Sequence, residues 1–213
     1  MPFVELGDVR LFYTDEGSGD RPLLLVHGYT ADSHGWSWQL PHLVADHRVI
    51  AVDLRGHGWS SAPAGGYTTA QFAADLAGLL DHLEIERVVG VGHSMGGSVV
   101  SALAVEYPDR VAAVVAVDPA YLLPDETAGA IGPMLDLLVD RPGAVRPSEP
   151  YLRRRRCPVL TFYADPARAA IERAVFTDPR SRVVTWEGAG HWLHQERPAE
   201  FNTLVTGWLA SIA

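Results

Sequence analysis

Short apolar runs rich in β-branched residues, separated by longer stretches of helical period, limit what this chain can fold into more than any other feature. The runs fall at residues 21–26, 49–52, 88–91, 111–117, 159–163 and 183–186. A strand covered on both faces has no solvent side to alternate with, so it reads as a nearly unbroken apolar run. Between the runs, residues 69–83 place Phe72, Leu76, Leu79, Leu80 and Leu83 on one stripe, with Thr68 or Thr69 available as N-cap. Residues 94–107, 167–176 and 198–212 predict three further helices, the last with Pro198 in its first turn. Strands alternating with helices predict an α/β fold, a mostly parallel central sheet with helices on both faces. Residues 3–6 and 9–13, joined at Gly7-Asp8, predict an antiparallel hairpin at the edge of that sheet.

A chain of 213 residues fits a single domain, 1–213, because one core can grow to roughly 250–300 residues before it divides. One segment, 121–156, breaks the alternation. It offers a possible helix over 128–138, then Arg141-Pro142-Gly143, Pro147 and Pro150, and ends in four arginines, Arg153 to Arg156. An excursion from the carboxyl end of the sixth strand of an open α/β sheet lies above the ligand crevice, so the segment is expected as a small lid. An ordinary long connection is the other reading. The arginines are expected to form a solvated helix face.

Charge and cysteine content narrow the function. With 26 acidic against 17 basic side chains the net charge is −9, which opposes a general attraction to nucleic acid or to anionic membrane and favours a small-molecule ligand. The single cysteine, Cys157, has no partner for an internal disulfide and no companions for a thiolate metal site, which points to the cytoplasm. The amino-terminal stretch MPFVELGDVRLFYTDEG lacks the basic-then-apolar order of a signal peptide. No apolar run approaches the ~18 residues of a membrane span, so a soluble protein is expected.

The stretch Gly92-His93-Ser94-Met95-Gly96 places a serine between glycines, after an apolar run and before a helical one. In that context G-x-S-x-G is the pattern of a nucleophile elbow. A sharp strand-to-helix turn strains the serine backbone and leaves no room for side chains at the flanking positions. Serine needs a base, and a histidine with a pKa near 6.5 suits that task at neutral pH. Of the nine histidines, His191 in Gly188-Ala189-Gly190-His191-Trp192 follows the last predicted strand and is the first choice. His194 is expected to pack on the final helix. His93 points wrongly for a base, and His27 and His57 are expected to shape their loops.

The chain resembles the α/β-hydrolase superfamily. The resemblance rests on His27-Gly28 after the third strand, Asp53-Leu54-Arg55-Gly56-His57-Gly58 after the fourth, the elbow after the fifth, and GAGHWLHQERPAEF near the end. It implies an α/β-hydrolase fold, Ser94 as nucleophile, and an oxyanion hole formed by the backbone N–H groups of Met95 and Tyr29. Serine at the elbow separates the chain from the epoxide hydrolases and haloalkane dehalogenases of that superfamily, whose nucleophile is a carboxylate. No metal or organic cofactor is implied.

The acid that orients His191 has two candidates. In most relatives it lies on the loop after the strand matching 157–163, but the stretch Tyr163-Ala164-Asp165-Pro166-Ala167 has alanine where that acid is counted, with Asp165 two positions early. In a minority it ends the preceding strand, twenty-four residues after the nucleophile, which is the spacing of Asp118. Asp118 is preferred and Asp165 kept as the alternative. Asp53 is expected to fix a turn, and Asp178 is the least suited.

The implied reaction is hydrolysis of a carboxylic ester or lactone through an acyl-enzyme. Trp36, Trp59, Tyr121, Met134 and Trp192 are expected to line an apolar, aromatic pocket. A ligand receptor or inactive binding protein on the same scaffold is the reading from another class, and C–C bond hydrolysis or perhydrolysis would use the same serine.

Overall fold

A computed structural model describes residues 3–121 and 149–213. Eight strands form one sheet: β1 (Phe3–Leu6), β2 (Val9–Glu16), β3 (Leu23–Val26), β4 (Val49–Val52), β5 (Val88–His93), β6 (Val111–Val117), β7 (Val159–Tyr163) and β8 (Arg182–Thr185). Their spatial order is β1-β2-β4-β3-β5-β6-β7-β8. Strands β1, β2 and β4 pair antiparallel in sequence, and every pairing from β4 to β8 is parallel. The expected α/β architecture and its amino-terminal hairpin are therefore present.

Alternate residues of the apolar strands feed two cores. Leu24, Val26, Ile50 and Val52 face one side, where they pack with Phe72, Leu76 and Leu80 of α2 (Thr69–His82) and with Val99, Val100 and Leu103 of α3 (Met95–Glu106). Leu23, Leu25, Val49 and Ala51 face the other, against Phe201, Val205 and Trp208 of the carboxyl-terminal helix. The N-cap of α2 is Thr68, whose side chain accepts from Gln71 N.

The remaining helices are α1 (Leu40–Leu43), α4 (Glu149–Arg154), α5 (Pro166–Ala174), α6 (Leu193–Glu196) and α7 (Pro198–Ser211). The helix expected from Ser94 starts at Met95, because Ser94 is the N-cap and has left the helical region. The expected lid falls largely outside the described residues, as do its predicted helix over 128–138 and Met134. Among the described residues no helix is long and apolar enough to cross a membrane.

One expectation about the arginine run is corrected. Arg155 is buried rather than solvated, with Nη2 donating to Oε1 of Glu172 at 2.6 Å. Glu172 is wholly buried on α5 and also accepts from the hydroxyls of Thr161 and Tyr163, at 2.8 and 2.6 Å. A carboxylate this far from water needs a counter-charge, and Arg155 supplies it. Arg153, Arg154 and Arg156 are exposed as expected.

Candidate active site

The carboxyl ends of the parallel strands lie on one edge of the sheet, and the loops leaving them carry the candidate residues: Tyr29 after β3, Trp59 after β4, Ser94 after β5, Asp118 after β6, and His191 and Trp192 after β8. Ser94 has φ 51° and ψ −116°. A non-glycine residue in that region is strained, and the surroundings must hold it there. Ser94 N donates to Val117 O at 2.8 Å, while its carbonyl accepts from Gly97 N at 3.0 Å and from Ala120 N at 3.1 Å. The flanking glycines are required by space. A side chain on Gly92 would collide with the carbonyl of Gly96, and one on Gly96 with the carbonyls of Val26 and His27.

Met95 opens α3, so its N–H belongs to the first turn, where backbone donors lack intrahelical partners. The loop after β3 comes close to the elbow: a Cβ added to Gly28 would stand 3.2 Å from Ser94 Cβ. Tyr29 is the next residue.

His191 and Asp118 meet. Nδ1 of the imidazole donates to Asp118 Oδ2 at 2.5 Å. That bond fixes the tautomer of the neutral ring and leaves Nε2 as acceptor. Asp118 is itself buried and has φ 40°. Its second oxygen, Oδ1, accepts from Nη1 of Arg168 at 2.6 Å. Asp165 does not reach this cluster; its Oδ1 accepts from Ala167 N at 2.8 Å and caps α5.

His93 lies beneath His191, with ring centroids 4.6 Å apart, and its Nε2 bonds the carbonyl of His191 at 3.0 Å. Burial, and then the neighbouring His194 and His191, push the pKa of His93 down to about 2. His194 is lowered to about 3, again chiefly by burial. Both stay neutral at working pH. The His191 loop is pinned once more where Gly190 N donates to Glu196 Oε2 at 2.9 Å.

His27 donates from Nδ1 to Gly28 O at 2.6 Å and accepts from Leu54 N at Nε2, 3.0 Å away. Burial leads its pKa down to about 4. His57 Nδ1 bonds Arg55 O at 2.9 Å. Asp53 receives Ser33 N at 2.7 Å and Trp59 N at 2.9 Å, tying together the loops after β3 and β4. Asp178 pairs with Arg180 at 2.8 Å.

Two expected pocket residues are corrected. Trp36 is 1% exposed, in the core with Leu43 and Phe201, and its ring lies 4.5 Å from that of His194. Tyr121 is also buried; its hydroxyl bonds Ser101 Oγ, donates to Gly97 O at 3.1 Å and receives Arg155 Nη1 at 3.1 Å. Each is drawn inward by partners that an open pocket lacks. Trp59 and Trp192 are exposed on the carboxyl-edge loops.

Arg168 and His93 as supports of this cluster are not apparent from the sequence. Arg168 directly follows Ala167, the position counted for the acid in most relatives, and that is the one signal pointing to it. Among the described residues no group of three or more His, Cys, Asp or Glu is arranged to hold a metal ion. A cavity of about 350 Å³ lined by Arg21, Arg87, Arg156 and Arg180 lies at the opposite, amino-terminal edge of the sheet.

Residues 21–142 match the family described as alpha/beta hydrolase fold. Over 103 residues the chain is 46% identical to a non-heme haloperoxidase of Rhodococcus erythropolis, an alignment covering 47% of this chain and 37% of that protein. Among solved structures, E-2-(acetamidomethylene)succinate hydrolase superposes with a TM-score of 0.86 at 24% identity, covering 98% of each chain. A thermophilic esterase from Thermogutta terrifontis, with malate bound, superposes with a TM-score of 0.74 at 27% identity, covering 96% of this chain and 94% of that one. Alignments with the first three curated relatives span between 31% and 40% of the relatives' length.

Proposed function

The chain belongs to the alpha/beta hydrolase fold family, and from that premise we propose that it is a serine hydrolase cleaving a carboxylic ester or a lactone through an acyl-enzyme. The observation that carries the reading is the 2.5 Å bond from His191 Nδ1 to Asp118 Oδ2, on the same sheet edge as the strained Ser94.

The steps follow from these groups. His191 Nε2 takes the hydroxyl proton of Ser94 as Oγ attacks the acyl carbon, and the electrons of the carbonyl π bond move to its oxygen. That oxyanion rests on the N–H groups of Met95 and Tyr29, each such donor being worth ~2.7–4 kcal/mol at the transition state. Asp118 stabilises the imidazolium without taking the proton. Collapse expels the alcohol, which receives the proton from Nε2, and a water activated by the same nitrogen releases the acid and restores Ser94. In a lactone the alcohol and acid leave as one molecule.

The 27% identical esterase supports the ester reading, and exposed Trp59 and Trp192 favour a small apolar or aromatic substrate. The lone cysteine supports a cytoplasmic location. A second reading is favoured by the haloperoxidase relative: hydrogen peroxide replaces water at the acyl-enzyme and a peracid leaves.

Hydrolysis of p-nitrophenyl acetate and butyrate by the chain and by Ser94→Ala tests the proposal. The expected result is turnover that falls by about 10⁴-fold or more in the variant. Unchanged turnover in Ser94→Ala would refute it, and no turnover of either ester by the unaltered chain would favour a binding protein. Adding peroxide and assaying peracid decides the second reading.

A further inference from the structure

The carboxylate on which His191 leans is gripped from its other side. Asp118 Oδ2 accepts from the imidazole and Oδ1 from Nη1 of Arg168, at 2.5 and 2.6 Å. Arg168 is not a loose surface side chain. Its Nη2 donates to Pro119 O at 2.5 Å, its guanidinium carbon lies 4.8 Å from the Tyr163 ring centroid, and only 12% of the side chain is exposed. The support continues inward, since the Tyr163 hydroxyl donates to Glu172, which stands on α5 with Arg168 and pairs with Arg155. A planar fork that bonds both the carboxylate and the next carbonyl fixes the plane of Asp118 as well as its charge.

Charge gives Arg168 a second consequence. A carboxylate facing imidazole alone stabilises the imidazolium with its full negative charge. With a guanidinium on the far oxygen, the three groups are neutral overall before Ser94 gives up its proton and carry one positive charge afterwards. Other titratable groups also stand near the imidazole and its loop. His93 from β5 and His194 from α6 are buried and neutral, and Glu196 is engaged with Gly190 N.

We propose that Arg168 is a positioning residue of the site: its fork orients Asp118 toward His191 and shares the carboxylate's charge with the imidazole. The inference rests on the reading of Ser94, His191 and Asp118 as the catalytic groups. It assigns to α5, the helix after β7, a cation that acts on the acid following β6.

Arg168→Gln, Arg168→Lys and Arg168→Met in the full chain test it. Loss of the positive charge favours the imidazolium, so the Gln variant should move the acidic-side midpoint of the kcat/KM profile upward by about one pH unit. Its kcat should fall roughly ten- to a hundredfold with KM within about twofold, because the base is misplaced and the substrate is untouched. Lys restores the midpoint and only part of kcat, having the charge without the fork. Met keeps the stem against Tyr163, gives the same upward shift, and serves if the Gln variant folds poorly.

NMR titration of the His191 imidazole in the unaltered chain and in each variant reads the same shift without turnover. A shift there in a chain that hydrolyses no ester would sink the hydrolase reading and leave the Arg168 assignment standing. Ester turnover that depends on Ser94, with the midpoint unmoved in both Gln and Met variants, would overturn the assignment alone, even if the variants melt at lower temperature.

Discussion

Asp118 combines a φ of 40° with a buried carboxylate. A left-handed backbone at a non-glycine residue costs about 1–3 kcal/mol and persists only where neighbours over-determine it. Here they do so through Asp118 N to Phe162 O at 2.8 Å and through bonds to both carboxylate oxygens. Asp165, the competing acid, has its oxygen committed to a helix N-terminus. Asp118→Asn is therefore expected to lower kcat by about 10⁴-fold, as loss of the orienting acid does when the wrong tautomer results. Asp165→Ala should leave kcat within a few-fold while removing about 1 kcal/mol of stability, the worth of a cap. Kinetics and urea unfolding of the two variants separate these effects, and a large kcat loss confined to Asp165→Ala would reverse the assignment. Ser94 was legible in sequence because steric crowding demands glycine on both sides of it. Between the aspartates, chain spacing preferred Asp118 but left Asp165 open, because the choice turns on a distance across the sheet that spacing does not contain.

At the level of elements, the buried strands and long helices could be read because an apolar run or stripe is what burial between two layers demands. Short elements such as α1 and α6 carry too few residues for a period to show. The run Arg153 to Arg156 misled for another reason. Four like charges in a row contain no signal for which one turns inward; that is decided by Glu172, on a different helix. Removing one partner from a buried pair leaves the other uncompensated, so Glu172→Gln should cost about 3–5 kcal/mol, measured by urea unfolding. A loss below about 1 kcal/mol would mean that water reaches Arg155.

For the molecule as a whole, its buried histidines couple stability to pH. His27, His93 and His194 have folded-state values of about 4, 2 and 3, each lowered chiefly by burial. Unfolded histidine binds a proton near pH 6.5, so below that point the unfolded chain takes up protons that the folded one refuses. Stability is therefore full above about pH 6.5 and declines as pH falls toward the folded values. By pH 5.5 the loss is on the order of 1 kcal/mol per histidine. Thermal unfolding at pH 7.5 and 5.5 should show a clear drop in Tm, smaller in His194→Gln, and an equal Tm at both would contradict the sign.

The bond between the Tyr121 hydroxyl and the Arg155 guanidinium joins the two flanks of the stretch between them at one spot, beside Gly97 O of α3. The chain thus leaves the sheet after β6 and returns to it before β7 with its two flanks tied by one bond. Ring closure grows only slowly more costly with length, about 0.6 kcal/mol per doubling. A change of chain length between those two anchors is therefore expected to cost little stability, which urea unfolding of the altered chain measures.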